Sequence, residues 1–165
     1  FRVGSDGGTG VLNLYSGTLL DSMNLAFAMA GKYAGTTFAN RTFTSSATSY
    51  GTMNIIGGTF EMTGFDSTFS ASQSTFTLGD NAIINFTGSG GLSLNGWADT
   101  DFQTLVASGK VQINGTADTT WSDYNFSTSG SQGVLTVAVV PEPSTMAIIG
   151  CGFLAFGAIA RKRKS

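Results

Sequence analysis

A chain of 165 residues is long enough for one modest core and a tail. It has no histidine and a single cysteine, Cys151, which removes the usual general base, every Ser-His-Asp arrangement, cysteine-based metal clusters and internal disulfides. Charged residues make up only 11% of the chain, and residues 1–140 hold nine acidic against four basic side chains, so the body lacks the basic patch that nucleic-acid binding requires.

Solubility must then come from hydroxyls and amides, as in secreted β proteins, while thirteen Phe favour a packed core over disorder. The opening FRVGSDGGTG already reads as strand and turn. An export signal would show a basic stretch, an apolar run and a small-residue cleavage site, so any signal peptide is expected upstream of Phe1, with this chain the C-terminal part of a longer one.

Two segments 41 residues apart match: Gly10-Val-Leu-Asn-Leu-Tyr-Ser-Gly-Thr-Leu19 and Gly51-Thr-Met-Asn-Ile-Ile-Gly-Gly-Thr-Phe60. Gly10 and Gly51, Asn13 and Asn54, Gly17 and Gly58, and Thr18 and Thr59 correspond, with apolar positions in register. Between them, residues 20–35 (LDSMNLAFAMAGKYAG) crowd apolar side chains, with a glycine stop at Gly31. A short helix or a packed hydrophobic loop is expected there, with a cap over a solenoid end as one use for it.

Shorter echoes follow at Gly91–Gly96, Gly109–Gly115 and Gly133–Val137. Each alternates apolar and polar residues and closes on Gly or Asn, the signature of a short strand with one buried face. Leu12 with Leu14, Val111 with Ile113, and Leu135 with Val137 should point inward, and glycine should supply positive φ at the corners. The 41-residue echo and the polar corners favour an all-β, parallel β-helix or solenoid-like body over residues 1–138, with a β-sandwich as the alternative.

Asp99 and Asp101 in WADTDF, and Asp118 and Asp123 around Trp121, are carboxylates to consider for Ca²⁺ or for acid-base work on a glycan. Neither an EF-hand nor the nonapeptide calcium repeat surrounds them, so they read as solvated turn residues. Trp97, Trp121 and Tyr124 would suit sugar stacking, although such aromatics more often cap a β core. Ice contact would need a regular outward lattice of threonines, and the spacing here is uneven. The Asn-x-Ser/Thr triplets at Asn40, Asn85, Asn114 and Asn125 are expected by chance. No catalytic, cofactor-binding or metal-binding residue is assigned, and the protein is read as noncatalytic, with a polysaccharide-active β-helical enzyme or a carbohydrate- or ice-binding protein as alternatives.

The character changes after Val137. Pro141-Glu142-Pro143 forbids regular structure, because each proline lacks an amide donor and forces its predecessor into extended geometry. Fifteen uncharged residues, Met146–Ala160, follow, then Arg161, Lys162, Arg163 and Lys164. With Ser144 and Thr145 included and the basic side chains snorkelling, residues 144–160 reach the lower limit of a transmembrane helix. Ala147, Cys151 and Ala155 would form a small-residue face on it. A basic cluster beyond a span stays in the cytoplasm, which predicts a cytoplasmic tail and an external body.

The run VPEPSTMAIIGCGFLAFGAIARKRKS resembles a PEP-CTERM sorting signal, found on exported proteins of biofilm-forming Gram-negative and related bacteria; this tail is also labelled an ice-binding protein C-terminal domain. The resemblance covers residues 139–165. It implies an exosortase, a membrane cysteine transpeptidase, as processing partner near Pro141, Glu142 and Pro143, with the body released or attached at the surface or in exopolysaccharide. The body is similar, more loosely, to the Gly-rich β-strand repeats of autotransporter-like passengers. Together these imply a structural or adhesive role in biofilm or extracellular matrix, without cofactors.

Overall fold

The alternating apolar pattern folds as short strands that the chain deals into three sheets in rotation. The computed structural model describes residues 2–21, 27–34, 42–63 and 76–138. In a first circuit, β1 (Arg2–Val3), β2 (Thr9–Leu14) and β3 (Thr18–Asp21) enter three different sheets. The second circuit begins with β4 (Phe27–Met29) and carries an antiparallel hairpin of β5 (Gly31–Ala34) and β6 (Thr42–Ser45). It continues through β7 (Tyr50–Ile55) and β8 (Thr59–Met62), and the third supplies β9 (Phe76–Leu78), β10 (Ala82–Phe86) and β11 (Gly91–Asn95). Each circuit returns to the same three sheets in the same order, and the ladders joining them are parallel.

Beyond β11 the chain forms α1 (Asp99–Ala107), β12 (Val111–Ile113), β13 (Thr116–Ala117), a 3-10 turn (Trp121–Asp123), β14 (Tyr124–Ser129) and β15 (Gln132–Val137). β12 adds a fourth parallel strand to the β2–β7–β10 sheet, and β13 folds back antiparallel on it. The connecting Asn114-Gly115 has positive φ at both residues (52° and 79°), as a two-residue hairpin requires. β15 runs antiparallel to β11, with β14 antiparallel outside it.

The 41-residue echo is the physical register of the first two circuits. Gly10 pairs with Gly51, Asn13 with Asn54 and Thr18 with Thr59. Because parallel neighbours in register point the same way, like residues form columns across the sheets. The inward columns are Leu12, Met53, Ile84 and Val111; Leu14, Ile55, Phe86 and Ile113; and Leu19, Phe60, Leu92 and Leu135. All twelve except Leu12, Leu19 and Ile113 are buried, and Leu12 and Ile113 pack against the core. A third copy of the echo, Ala82-Ile-Ile-Asn-Phe86, sits on Gly51–Ile55. Alanine in the place of Gly51, and one extra residue before Gly91, hide it in the sequence.

Several expectations change. Residues 20–35 are not helical where described: they include the end of β3, then β4 and β5. Ala28, Met29 and Ala30 are 0% exposed, and an apolar run covered on all sides loses the alternation that marks a strand. The helix lies instead at α1, within the segment read as a turn. Its Phe102, Leu105 and Val106 are buried at helical spacing, while Asp99 and Asp101 occupy its first turn, where acids complement the helix dipole. Asp101 Oδ2 accepts from the Ala98 N–H at 2.8 Å, and Gly109 (φ 73°) ends the helix just past Ser108. The Gly133–Val137 echo is an antiparallel strand. Among the described residues no helix is long and apolar enough to cross a membrane, and the expected span at 144–160 lies outside them.

The repeated glycines divide into two kinds. Gly17 has φ 72° and turns a corner. Gly10 and Gly51 lie within strands, and a Cβ at Gly51 would stand 2.4 Å from the Val3 carbonyl oxygen and 2.9 Å from the Ala30 nitrogen. Main-chain atoms cannot move aside as a side chain can, so Gly51→Ala should cost about 2–3 kcal/mol in urea unfolding. Ala82→Gly, one circuit on in the same column, should cost about 1 kcal/mol. Equal losses at the two positions would mean that the first circuit shifts to accommodate the methyl group.

Candidate functional site

On the outward side of the β2–β7–β10–β12 sheet the register stacks Asn13, Asn54, Asn85 and Gln112. Asn54 Nδ2 donates to Asn13 Oδ1 at 2.7 Å, and Asn85 Nδ2 donates to Asn54 Oδ1 at 3.0 Å. Asn85 Oδ1 accepts the main-chain N–H of Gly115 at 2.9 Å. That last bond sets the polarity, because a main-chain N–H requires an oxygen on Asn85, which turns its amide nitrogen toward Asn54 and so orients each rung before it. The sequence shows the Asn13–Asn54 pair; Asn85 escapes notice without the third echo.

The same sheet borders an open groove of about 460 Å³ lined by Tyr50, Asp80, Asn81, Ile83, Lys110 and Gln112, among others. Tyr50 is 51% exposed. Asn81 is held by its Nδ2, which donates to the carbonyls of Ala47 (3.0 Å) and Ser49 (3.2 Å). The Asp80 N–H donates to Ser45 Oγ at 2.9 Å, and Lys110 Nζ donates to the Gly79 carbonyl. The floor is thereby stiff, with the Tyr50 ring and the Asp80 carboxylate at its margin. None of these positions stood out in the sequence, because strands far apart along the chain bring them together.

The aromatic and acidic residues near the C-terminal end serve packing and turns. Trp97 meets Phe76 edge-on at 5.8 Å and Phe102 at 5.1 Å. Trp121 stacks on Tyr124 at 6.2 Å, and Tyr124 is 5% exposed. Tyr124 Oη donates to the Asp118 carbonyl at 3.2 Å, and Asp118 Oδ1 accepts the Thr120 N–H at 2.7 Å. Burial, followed by the nearby Asp118 and Asp123 charges, raises the Tyr124 pKa above the ordinary tyrosine value. Partial burial and the Asp118 carboxylate raise that of Asp123. Among the described residues no three His, Cys, Asp or Glu side chains converge as metal ligands.

The Ala138 N–H donates to the Asp123 carbonyl at 2.9 Å, tying down the final described residue. The candidate sorting residues Pro141, Glu142 and Pro143, and the basic cluster Arg161, Lys162, Arg163 and Lys164, lie beyond it, outside the described residues. Residues 139–164 match the PEP-CTERM protein-sorting motif. No curated protein and no solved structure matches the chain. The PEP-CTERM motif is recognised by exosortase, and it marks a secreted protein that transits the membrane and is processed to the cell surface. The motif starts one residue after Ala138.

A raised tyrosine pKa means that folding favours the neutral phenol, so its contribution is complete below the ordinary value near 10 and is lost as pH rises past it. Melting temperature should therefore fall from about pH 10 upward. Tyr124→Phe should flatten that alkaline decline while costing about 1 kcal/mol at neutral pH through the lost hydrogen bond. An unchanged alkaline limb in the variant would assign the decline to other groups.

Proposed function

We propose that the protein is a noncatalytic surface or extracellular-matrix component, whose body is a short parallel β-helix carried outward by the PEP-CTERM tail. The observation that carries this reading is the sorting motif at residues 139–164, immediately after Ala138. Proline lacks an amide donor and disfavours helical geometry in the residue before it, so the composition of Pro141-Glu142-Pro143 would suit recognition by a processing enzyme. The Met146–Ala160 run would hold the precursor in the membrane, with Arg161, Lys162, Arg163 and Lys164 retained in the cytoplasm. Release or attachment of residues 1–138 would follow cleavage.

The return of successive strands to the same three sheets in parallel register supports the β-helical reading. A β-sandwich of antiparallel sheets generates no such ladders. A structural or adhesive role is supported by the outward columns, which hold Asn13, Asn54 and Asn85 beside Val11, Thr52 and Ile83. That mixed composition does not favour the threonine lattice wanted for ice. Asp101 is engaged at a helix start and Asp118 in an Asp turn.

The groove beside Tyr50 supports a second reading, polysaccharide binding, with the ring as a stacking platform and Asp80 and Gln112 as partners for hydroxyl groups. Both readings suit a matrix protein and differ only in whether the body grips the polymer.

The sorting step is tested by the mass and location of the mature C-terminus after expression in the native host. The unaltered protein should lose its tail and reach the surface. The Pro141→Ala, Glu142→Ala, Pro143→Ala variant should remain uncleaved in the membrane. An intact tail on both proteins would leave a plain membrane anchor and overturn exosortase processing.

A further inference from the structure

The chain contains two Asn-Gly steps, Asn95-Gly96 and Asn114-Gly115. Such a step carries a slow chemistry of its own. Once the glycine main-chain nitrogen gives up its proton, it attacks the asparagine Cγ; the new N–Cγ bond forms, the Cγ–Nδ2 bond breaks and ammonia leaves. Water then opens the five-membered imide at one of its two carbonyls, leaving aspartate or isoaspartate. Glycine permits this best, because it has no side chain to crowd the attacking nitrogen. The asparagines of the outward column are followed instead by Leu14, Ile55 and Phe86, whose bulk disfavours the same attack.

The surroundings of Asn114-Gly115 favour the reaction in two respects and block it in one. Both residues are exposed, in the connection between β12 and β13. A Cβ at Gly115 would meet nothing within 4 Å, so an imide ring has room. The obstacle lies at the nucleophile, because the Gly115 N–H donates to Asn85 Oδ1 at 2.9 Å. An amide oxygen accepts this hydrogen but is too weak a base to remove it, and while it does so it keeps hydroxide away. Asn85 is itself held in place, since its Nδ2 donates to Asn54 Oδ1. The Asn114 N–H donates to the Phe86 carbonyl at 2.8 Å, which fixes the turn against the same strand.

We propose that Asn114 is a deamidation site held closed by the amide column, so that reaction proceeds only when Asn85 releases the Gly115 N–H. The product acts back on the column. Isoaspartate places one extra carbon in the main chain between the Cα of residue 114 and the Gly115 nitrogen, which carries the Gly115 N–H away from Asn85. The bond that orients Asn85 and each rung before it is then lost. Openings of the column are thereby recorded as a permanent covalent change in an exposed turn.

Asn95-Gly96 supplies an internal reference, because the Gly96 N–H donates to the Ser131 carbonyl at 2.8 Å and β11 belongs to a different sheet. The purified protein, folded and in concentrated urea, and its Asn85→Ala variant are aged at mildly alkaline pH. Peptides carrying each step are followed by mass, with isoaspartate separated from aspartate by chromatography. In the folded protein Asn114 should deamidate at least about fivefold more slowly than in urea. Asn85→Ala should raise the Asn114 rate about fivefold, as expected for the loss of one hydrogen bond, and leave the Asn95 rate unchanged. If Asn85→Ala does not fold, Asn85→Val, which suits a strand and has no acceptor, takes its place. Equal Asn114 rates in folded and urea-treated protein overturn the closed site without reference to any variant. An unchanged Asn114 rate in the folded variant, or a rise shared equally by Asn95, overturns the role of the column.

Discussion

Register is the constraint on which the rest of the structure depends. Parallel strands with no residue offset put each side chain over its counterpart in the next circuit, and one main-chain donor, the Gly115 N–H, orients the amide column above it. A slip by a single residue would exchange the two faces of every strand, sending Met53 and Ile84 into solvent and Asn54 and Asn85 into the core. Apolar columns inside and amide columns outside therefore defend the same register. Neither contribution is large: a hydrogen bond of this type is worth about 1 kcal/mol net, but a slip forfeits every rung together.

The close spacing that register imposes explains the glycines that do not turn corners. Gly51 abuts the carbonyl of Val3, and Gly90 faces the carbonyl of Gly58 with no room for a methyl group. Where the chain enters the third circuit the constraint relaxes enough for Ala82, which is 1% exposed. Glycine in the echo thus marks two physical demands, left-handed backbone at Gly17 and close approach at Gly51, which look the same when read as letters.

The features that mattered for function were unevenly legible. The sorting motif is local, since its proline pair, apolar run and basic cluster are contiguous and their order carries the meaning. The groove beside Tyr50 is the opposite case, as Tyr50, Asp80 and Lys110 become neighbours only after the second circuit, the third circuit and β12 stack. Trp121 and Tyr124 attract attention as possible sugar platforms, yet they stack on one another at the core margin. Likewise, Asp99 and Asp101 look like a carboxylate pair, but a helix that short is read correctly only once Phe102, Leu105 and Val106 are seen to share a buried face.

By itself the sequence determined the β-rich character, the 41-residue register of the first two circuits and the sorting tail, because alternation, exact recurrence and contiguous motifs are properties of neighbouring residues. Tertiary structure decided what depends on distant pairing: the third echo with Asn85, the strand identity of Phe27–Met29, the helix at Asp99–Ala107 and the antiparallel strands β13, β14 and β15 that follow the parallel circuits. An apolar segment such as Ala28–Ala30 has no local preference strong enough to choose between helix and strand. Partners on both sides of β4, in β1 and β9, supply the choice.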